Sequence, residues 1–235
     1  MNITMSDIPH QHQVSQAKAK MVFSNHKYLR WKKRVEDNGN RIHSSEVLAV
    51  ITRNEDDFYG ALLDCELTTP EKQTVKRCVL IRGDCVVIVP VLRCRDDGKI
   101  YTLLVEQRRI IDGGFTQEFP AGMLDCNADD PRVMASRELR EELNLDIAPN
   151  QLKPLSEQPV KIISSLVGDL LYFYYFEMEV TADFLNCMEG RPTGCHHESE
   201  YILVRVREVA QIANHAASST LIGVKLLERA LRRTF

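Results

Sequence analysis

A chain of 235 residues, 44% hydrophobic and 27% charged, can build one sizeable core with an added N-terminal element but leaves no room for a second full-sized enzyme domain. The formal net charge of −3, with basic residues spread along the chain, argues against a nucleic-acid partner and for a small-molecule one. No apolar run reaches the roughly 18 residues of a membrane span, residues 1–20 lack a signal-peptide core, and the seven cysteines are odd in number with no C-x-x-C pair; these features read as a cytoplasmic protein with reduced thiols and no membrane partner.

The acid-poor residues 1–20 can serve as a targeting segment or as a disordered tail, and a flexible tail over residues 1–24 is the expectation. Residues 25–37 then place Tyr28, Leu29, Trp31 and Val35 among lysines and arginines at helical spacing. Such a helix can serve a nucleic acid or a membrane, or simply pack on the domain, and packing is the expectation. From 45 to 67, short apolar and alternating runs separated by a polar stretch at 52–57 predict two or three strands. Residues 25–74 thus form an N-terminal helix and β extension.

A main domain is expected over 75–235. It opens with strands at 75–81, 85–92 and 101–107, separated by polar turns at 82–84 and 93–99. A helix follows at 131–143: Asp130 can cap it, Pro131 suits its first turn, and Asn144 tolerates the left-handed conformation that closes a helix. Strands at 160–164, 170–178 and 201–206 precede a last helix at 221–233, whose apolar stripe is Leu221, Val224, Leu227 and Leu231. Strands and helices do not alternate strictly, so the predicted class is an α/β sandwich of mixed sheets.

The chemistry gathers between residues 118 and 145. Glu118-Phe-Pro-Ala-Gly-Met-Leu-Asp leads to Asp129 and then to Arg137-Glu-Leu-Arg-Glu-Glu-Leu-Asn-Leu. On a helix Glu138 and Glu142 share a face, with Glu141 beside them, and like charges this close destabilise a helix unless a cation offsets them. Oxygen-only donors point to magnesium, with manganese as the alternative. A bare R-E-x-x-E-E is more often a solvated helix face. Here Gly122, Asp129, Arg137, Glu138, Leu139, Glu141, Glu142 and Leu145 fall together at set offsets, which favours the metal reading.

Residues 122–145 resemble the Nudix box, G-x5-E-x7-R-E-U-x-E-E-x-G-U with U apolar. They depart from it by one extra residue after Gly122, by Asp129 for the first glutamate and by Asn144 for the last glycine. The resemblance implies a Nudix α/β/α sandwich and a divalent cation on Glu138, Glu141 and Glu142, with the Ala121 carbonyl as a further ligand. Glu106-Gln-Arg-Arg, the 118–125 segment and Gly194-Cys-His-His-Glu-Ser-Glu-Tyr-Ile resemble, more narrowly, the ADP-sugar pyrophosphatase branch, above all the plant-type ADP-glucose enzymes.

That likeness implies a nucleotide-sugar substrate, Glu198 as general base, Glu200 as a second acid near the metal, and Arg109 and Glu118 as substrate contacts. It also implies a homodimer built through the N-terminal strands. Without it, Glu198 and Glu200 read as exposed loop acids and Arg109 as a strand-end arginine. His196 and His197 are taken as loop residues or substrate-edge contacts. Of the acidic loop found in many relatives only Asp169 remains, so ADP-ribose, ADP-glucose and UDP-glucose all stay open. Two rivals remain: a Nudix hydrolase for other nucleoside diphosphate derivatives, and a catalytically silent nucleotide-binding module.

Overall fold

The computed structural model describes residues 14–53, 57–110, 113–124, 130–163, 166–194, 201–214 and 217–232. The chain divides into two compact units, residues 1–83 with 162–169, and residues 84–161 with 170–235.

The first unit holds α1 (Gln16–Ser24), α2 (His26–Asp37) and an antiparallel sheet of β1 (Arg41–Thr52), β2 (Phe58–Thr68) and β3 (Thr74–Ile81). Helix α1 lies within the segment expected as a tail. The Ser15 side chain caps it by accepting from the Lys18 amide at 3.3 Å, and Val22 is its buried residue. Asn25 caps α2 in the same way, accepting from the Lys27 amide at 2.9 Å. Period-two alternation in β2 turns Ala61, Leu63 and Cys65 into a core shared with Val22, Tyr28 and Val47. Helix α2 therefore packs on this unit, and its buried Lys27 donates from Nζ to the Tyr59 carbonyl at 3.0 Å.

The second unit is built around a mixed sheet. Its elements are β4 (Cys85–Cys94), β5 (Ile100–Arg108), β6 (Phe115–Glu118), β7 (Ala121–Met123), α3 (Pro131–Leu143), β8 (Lys153–Pro154), β9 (Val160–Ile163, of which 162–163 fall in the first unit), β10 (Gly168–Val180, of which 168–169 fall in the first unit), α4 (Ala182–Met188), β11 (Pro192–Thr193), β12 (Ile202–Glu208) and α5 (Ser218–Arg232). Among the described residues the strand order is β11-β12-β5-β4-β10-β8, with β4 and β10 parallel.

Strand β4 is buried on both faces, as its unbroken apolar run requires. Val86 and Ile88 meet Met134, Ala135, Leu139 and Leu143 of α3, with Leu185 and Met188 of α4 in the same cluster. On the opposite face Gly223 of α5 lies so close to the Phe119 ring that a Cβ would collide with it, and one would also crowd Val89. Helices thus cover both faces of a mixed sheet, the sandwich predicted from the sequence.

The sheet splits where the site is built. Near their hairpin β4 and β5 pair directly, Leu92 with Tyr101 and Arg93 with Ile100. Further along, β6 pairs with β5 and β7 pairs with β4, with Phe119 and Pro120 at the apex between them. The Ile88 amide donates to the Pro120 carbonyl at 2.8 Å. Pro90, two residues on, is paired with Phe176 of β10 on one edge and on the other lies between the β5 and β7 pairings, where a ladder N–H is not called for.

Candidate active site

Helix α3 sets the positions of the acidic residues. Its start is fixed by Asp130, which accepts from the Arg132 amide at 2.9 Å and is clasped by the Arg132 guanidinium at 2.7 Å. Pro131 occupies the first turn. Its end is fixed by Asn144 at φ 54° and ψ 40°, with the Asn144 and Leu145 amides donating to Arg140 and Leu139 carbonyls.

Between these caps Glu138, Glu141 and Glu142 fall in the last turns, the negative end of the helix dipole, where carboxylates are unfavourable. Glu142 is also 4% exposed. One of its oxygens accepts from the Ala121 amide of β7 at 3.0 Å. The Glu138 carboxyl lies over Gly122, where any Cβ would overlap it, so a side chain there would displace the carboxyl and glycine permits the close approach. Glu141 turns outward and pairs with Arg137 Nε at 3.0 Å.

The donors suit a hard divalent cation in kind: they are carboxylate oxygens, with Gly122 leaving room for Glu138. In the present arrangement they do not converge. Among the described residues no three acidic, histidine or cysteine side chains group as a metal site.

The Arg109 guanidinium grips Glu118 through two contacts, Nη2 to Oε2 at 2.6 Å and Nε to Oε1 at 3.3 Å. Glu118 is registered opposite Val105 and Gly122 opposite Val86, and both valines belong to the core under α3. Glu118 and Gly122 therefore look to the face that carries Glu138 and Glu142. Glu106, though part of the Glu106-Gln-Arg-Arg segment, is on the other face. There Arg205 bonds it at 2.6 Å and Gln117 at 2.6 Å, and the Arg205 guanidinium holds its carboxyl below the usual range. It acts as a strut between β5, β6 and β12.

Two further residues reach the acidic helix, Thr193, which the sequence does not single out, and Gly194, which opens the segment 194–202. The Thr193 hydroxyl donates to the Glu142 carbonyl at 2.6 Å, and the Gly194 amide donates to the Glu141 carbonyl at 3.3 Å. No local signal marks the Thr193 contact, because its partner lies 51 residues away. Asp129, His196, His197, Glu198 and Glu200 lie outside the described residues. Asp169 belongs to the first unit, where Arg82 holds it at 2.9 Å and 3.2 Å.

A mixed sheet between helices, with an acidic helix end set against a glycine-bearing strand, defines a class of small α/β domains. The NUDIX domain profile matches residues 85–221, more than half of the chain, and the chain belongs to that family. It is 27% identical over 168 residues to "Nudix hydrolase 14, chloroplastic" from Arabidopsis thaliana, covering 68% of this chain and 54% of the relative. The chain thus spans about half the length of that curated relative. A solved structure titled "Crystal structure of ADP compounds hydrolase" shares the fold at 12% identity and TM-score 0.55, over 83% of this chain and 95% of that one.

Proposed function

We propose that the protein hydrolyses the diphosphate linkage of a nucleoside diphosphate sugar, of the ADP-ribose or ADP-glucose type, to a nucleoside monophosphate and a sugar phosphate. The observation that carries this reading is the seating of two carboxylates, Glu138 over Gly122 and Glu142 against Ala121, one turn apart on one helix, with Glu142 at the unfavourable end of the helix dipole. A fold tolerates that arrangement where a cation is to be held. The curated relative is named a Nudix hydrolase and the fold neighbour an ADP compounds hydrolase, which supports hydrolysis of a nucleoside diphosphate derivative; the sugar is the proposal's own addition.

Magnesium, or manganese, held by Glu138, Glu141, Glu142, the Ala121 carbonyl and Glu200, would supply positive charge to the diphosphate and favour ionisation of the attacking water. Glu198 takes the proton from that water, and the bridging oxygen departs with the other phosphate. Arg137 steadies Glu141 through their 3.0 Å pair. Arg109 offers its planar fork to the diphosphate or the sugar, exchanging Glu118 for substrate oxygens, while Glu118 contacts the substrate beside it. A homodimer through the N-terminal strands and a cytoplasmic location belong to the same proposal; gel filtration and fractionation check them.

The test is product analysis with magnesium and, separately, ADP-ribose, ADP-glucose, UDP-glucose and a nucleoside triphosphate, with Glu142→Gln as control. Release of AMP or UMP with sugar phosphate, lost in the control, supports the proposal. Turnover of the triphosphate alone would move the substrate to other nucleoside diphosphate derivatives. The separation of the three carboxylates, two of them engaged by Arg137 and the Ala121 amide, favours the second reading, a silent nucleotide-binding module. Binding without consumption by folded protein would establish it.

A further inference from the structure

We infer that Thr193 is a positioning residue for the acidic helix, holding Glu142 from its backbone side while Ala121 holds it from its carboxylate side. The last carbonyls of a helix have no partner within it and need one from elsewhere. Asn144 and Leu145 supply donors to Arg140 and Leu139. The carbonyls of the two terminal acids are instead taken by β11 and the residue after it: Thr193 Oγ1 donates to Glu142 at 2.6 Å, and the Gly194 amide donates to Glu141 at 3.3 Å.

Glu142 is thereby fixed at two points of one residue, its Oε2 on the Ala121 amide at 3.0 Å and its carbonyl on the Thr193 hydroxyl. With both ends pinned, the buried carboxylate has little freedom to rotate away from β7. Gly194 has φ 107°, a conformation that favours glycine over residues with a Cβ. The hydroxyl, and not the bulk, of Thr193 makes the contact. Valine at this position keeps the shape and loses the bond.

This inference rests on the proposed cation site, and its test reads the cation directly. Manganese(II) is titrated into the full-length protein and free ion is followed by electron paramagnetic resonance, alongside kcat and KM. Thr193→Val should weaken manganese binding about tenfold and lower kcat with little change in KM, whereas Thr193→Ser should restore both within about twofold. In a Glu142→Gln background, Thr193→Val should have no further effect on manganese, because the threonine acts through that carboxylate. Wild-type affinity in the valine variant, failure of serine to rescue, or additive losses in the double variant would each overturn the inference. So would wild-type protein that takes up no manganese, or loss of folding in both Thr193→Val and Thr193→Ala. Wild-type protein that binds manganese but consumes no nucleotide would sink the proposed reaction, while the titration still decides the role of Thr193.

Discussion

Replacing Glu142 with glutamine should make the metal-free protein more stable while abolishing its turnover. The carboxylate sits four residues from Glu138 on the same helix, a like-charge spacing that costs about 0.2–0.5 kcal/mol. It lies near the negative end of α3, which costs about 0.3–1 kcal/mol more. Being 4% exposed, it also gives up most of its hydration. Glutamine removes all three penalties and keeps an oxygen for the Ala121 amide, though the bond becomes a neutral one and weakens by about 1 kcal/mol, which offsets the two helix terms and leaves the hydration term as the source of the gain. The net gain is about 1 kcal/mol, or roughly 2–4 °C in Tm for a chain of this size. The assay is thermal unfolding in EDTA, paired with nucleotide-sugar turnover in magnesium. A Glu142→Gln variant that melts several degrees below wild type in EDTA would refute the reasoning, since the carboxylate would then be held by favourable contacts within the protein and no cation would be needed to explain it.

Gly122→Ala forces a Cβ into the Glu138 carboxyl and should destabilise by about 1–3 kcal/mol in a urea titration, with a loss of turnover that added magnesium does not recover. Arg109→Lys replaces a fork with a point charge and should raise KM about tenfold, near 1.4 kcal/mol, with kcat within about threefold; an unchanged KM would remove Arg109 from the substrate. Glu106→Gln should cost about 1–3 kcal/mol at neutral pH. Because Arg205 lowers the folded-state pKa of Glu106, that stability is present above the unfolded value of about 4.3 and fades as pH falls through the folded value. The wild-type advantage in denaturant titrations should therefore shrink below about pH 4.3, and a gap that stayed constant into acid would count against the Arg205 pair as its cause.

Helix α3 was legible down to its caps because every signal lies within its own sequence: Asp130, Pro131 and Asn144 each act on neighbours a few residues away. The apolar run of β4 was legible for a similar reason. Strands β6 and β7 were not, since three or four residues on either side of Phe119 and Pro120 carry no periodicity, and each pairs with a different older strand. Helix α1 escaped because Val22 is its buried residue, too little for an apolar stripe. In the site, the identities of Glu138, Glu141 and Glu142 could be read from spacing. Their environment could not: the Ala121 and Thr193 contacts depend on registers set by strands far away in sequence. Glu106 shows the same limit, as its side of the sheet follows from the pairing of Val105 with Glu118.

The cap of α3 also bears on how this segment can vary. Asp130 binds both the amide and the guanidinium of Arg132, so the first turn is specified by three consecutive residues. Nothing in that turn counts the residues leading up to it. A lineage can therefore gain or lose a residue between Gly122 and Asp130, as this chain has done relative to the usual spacing, without shifting the phase of Glu138, Glu141 and Glu142 along the helix. Insertions inside α3 have no such freedom, because each would rotate the acids by about 100° around the axis. Length variation among homologous sequences should accordingly be concentrated before Asp130 and absent from the helix itself.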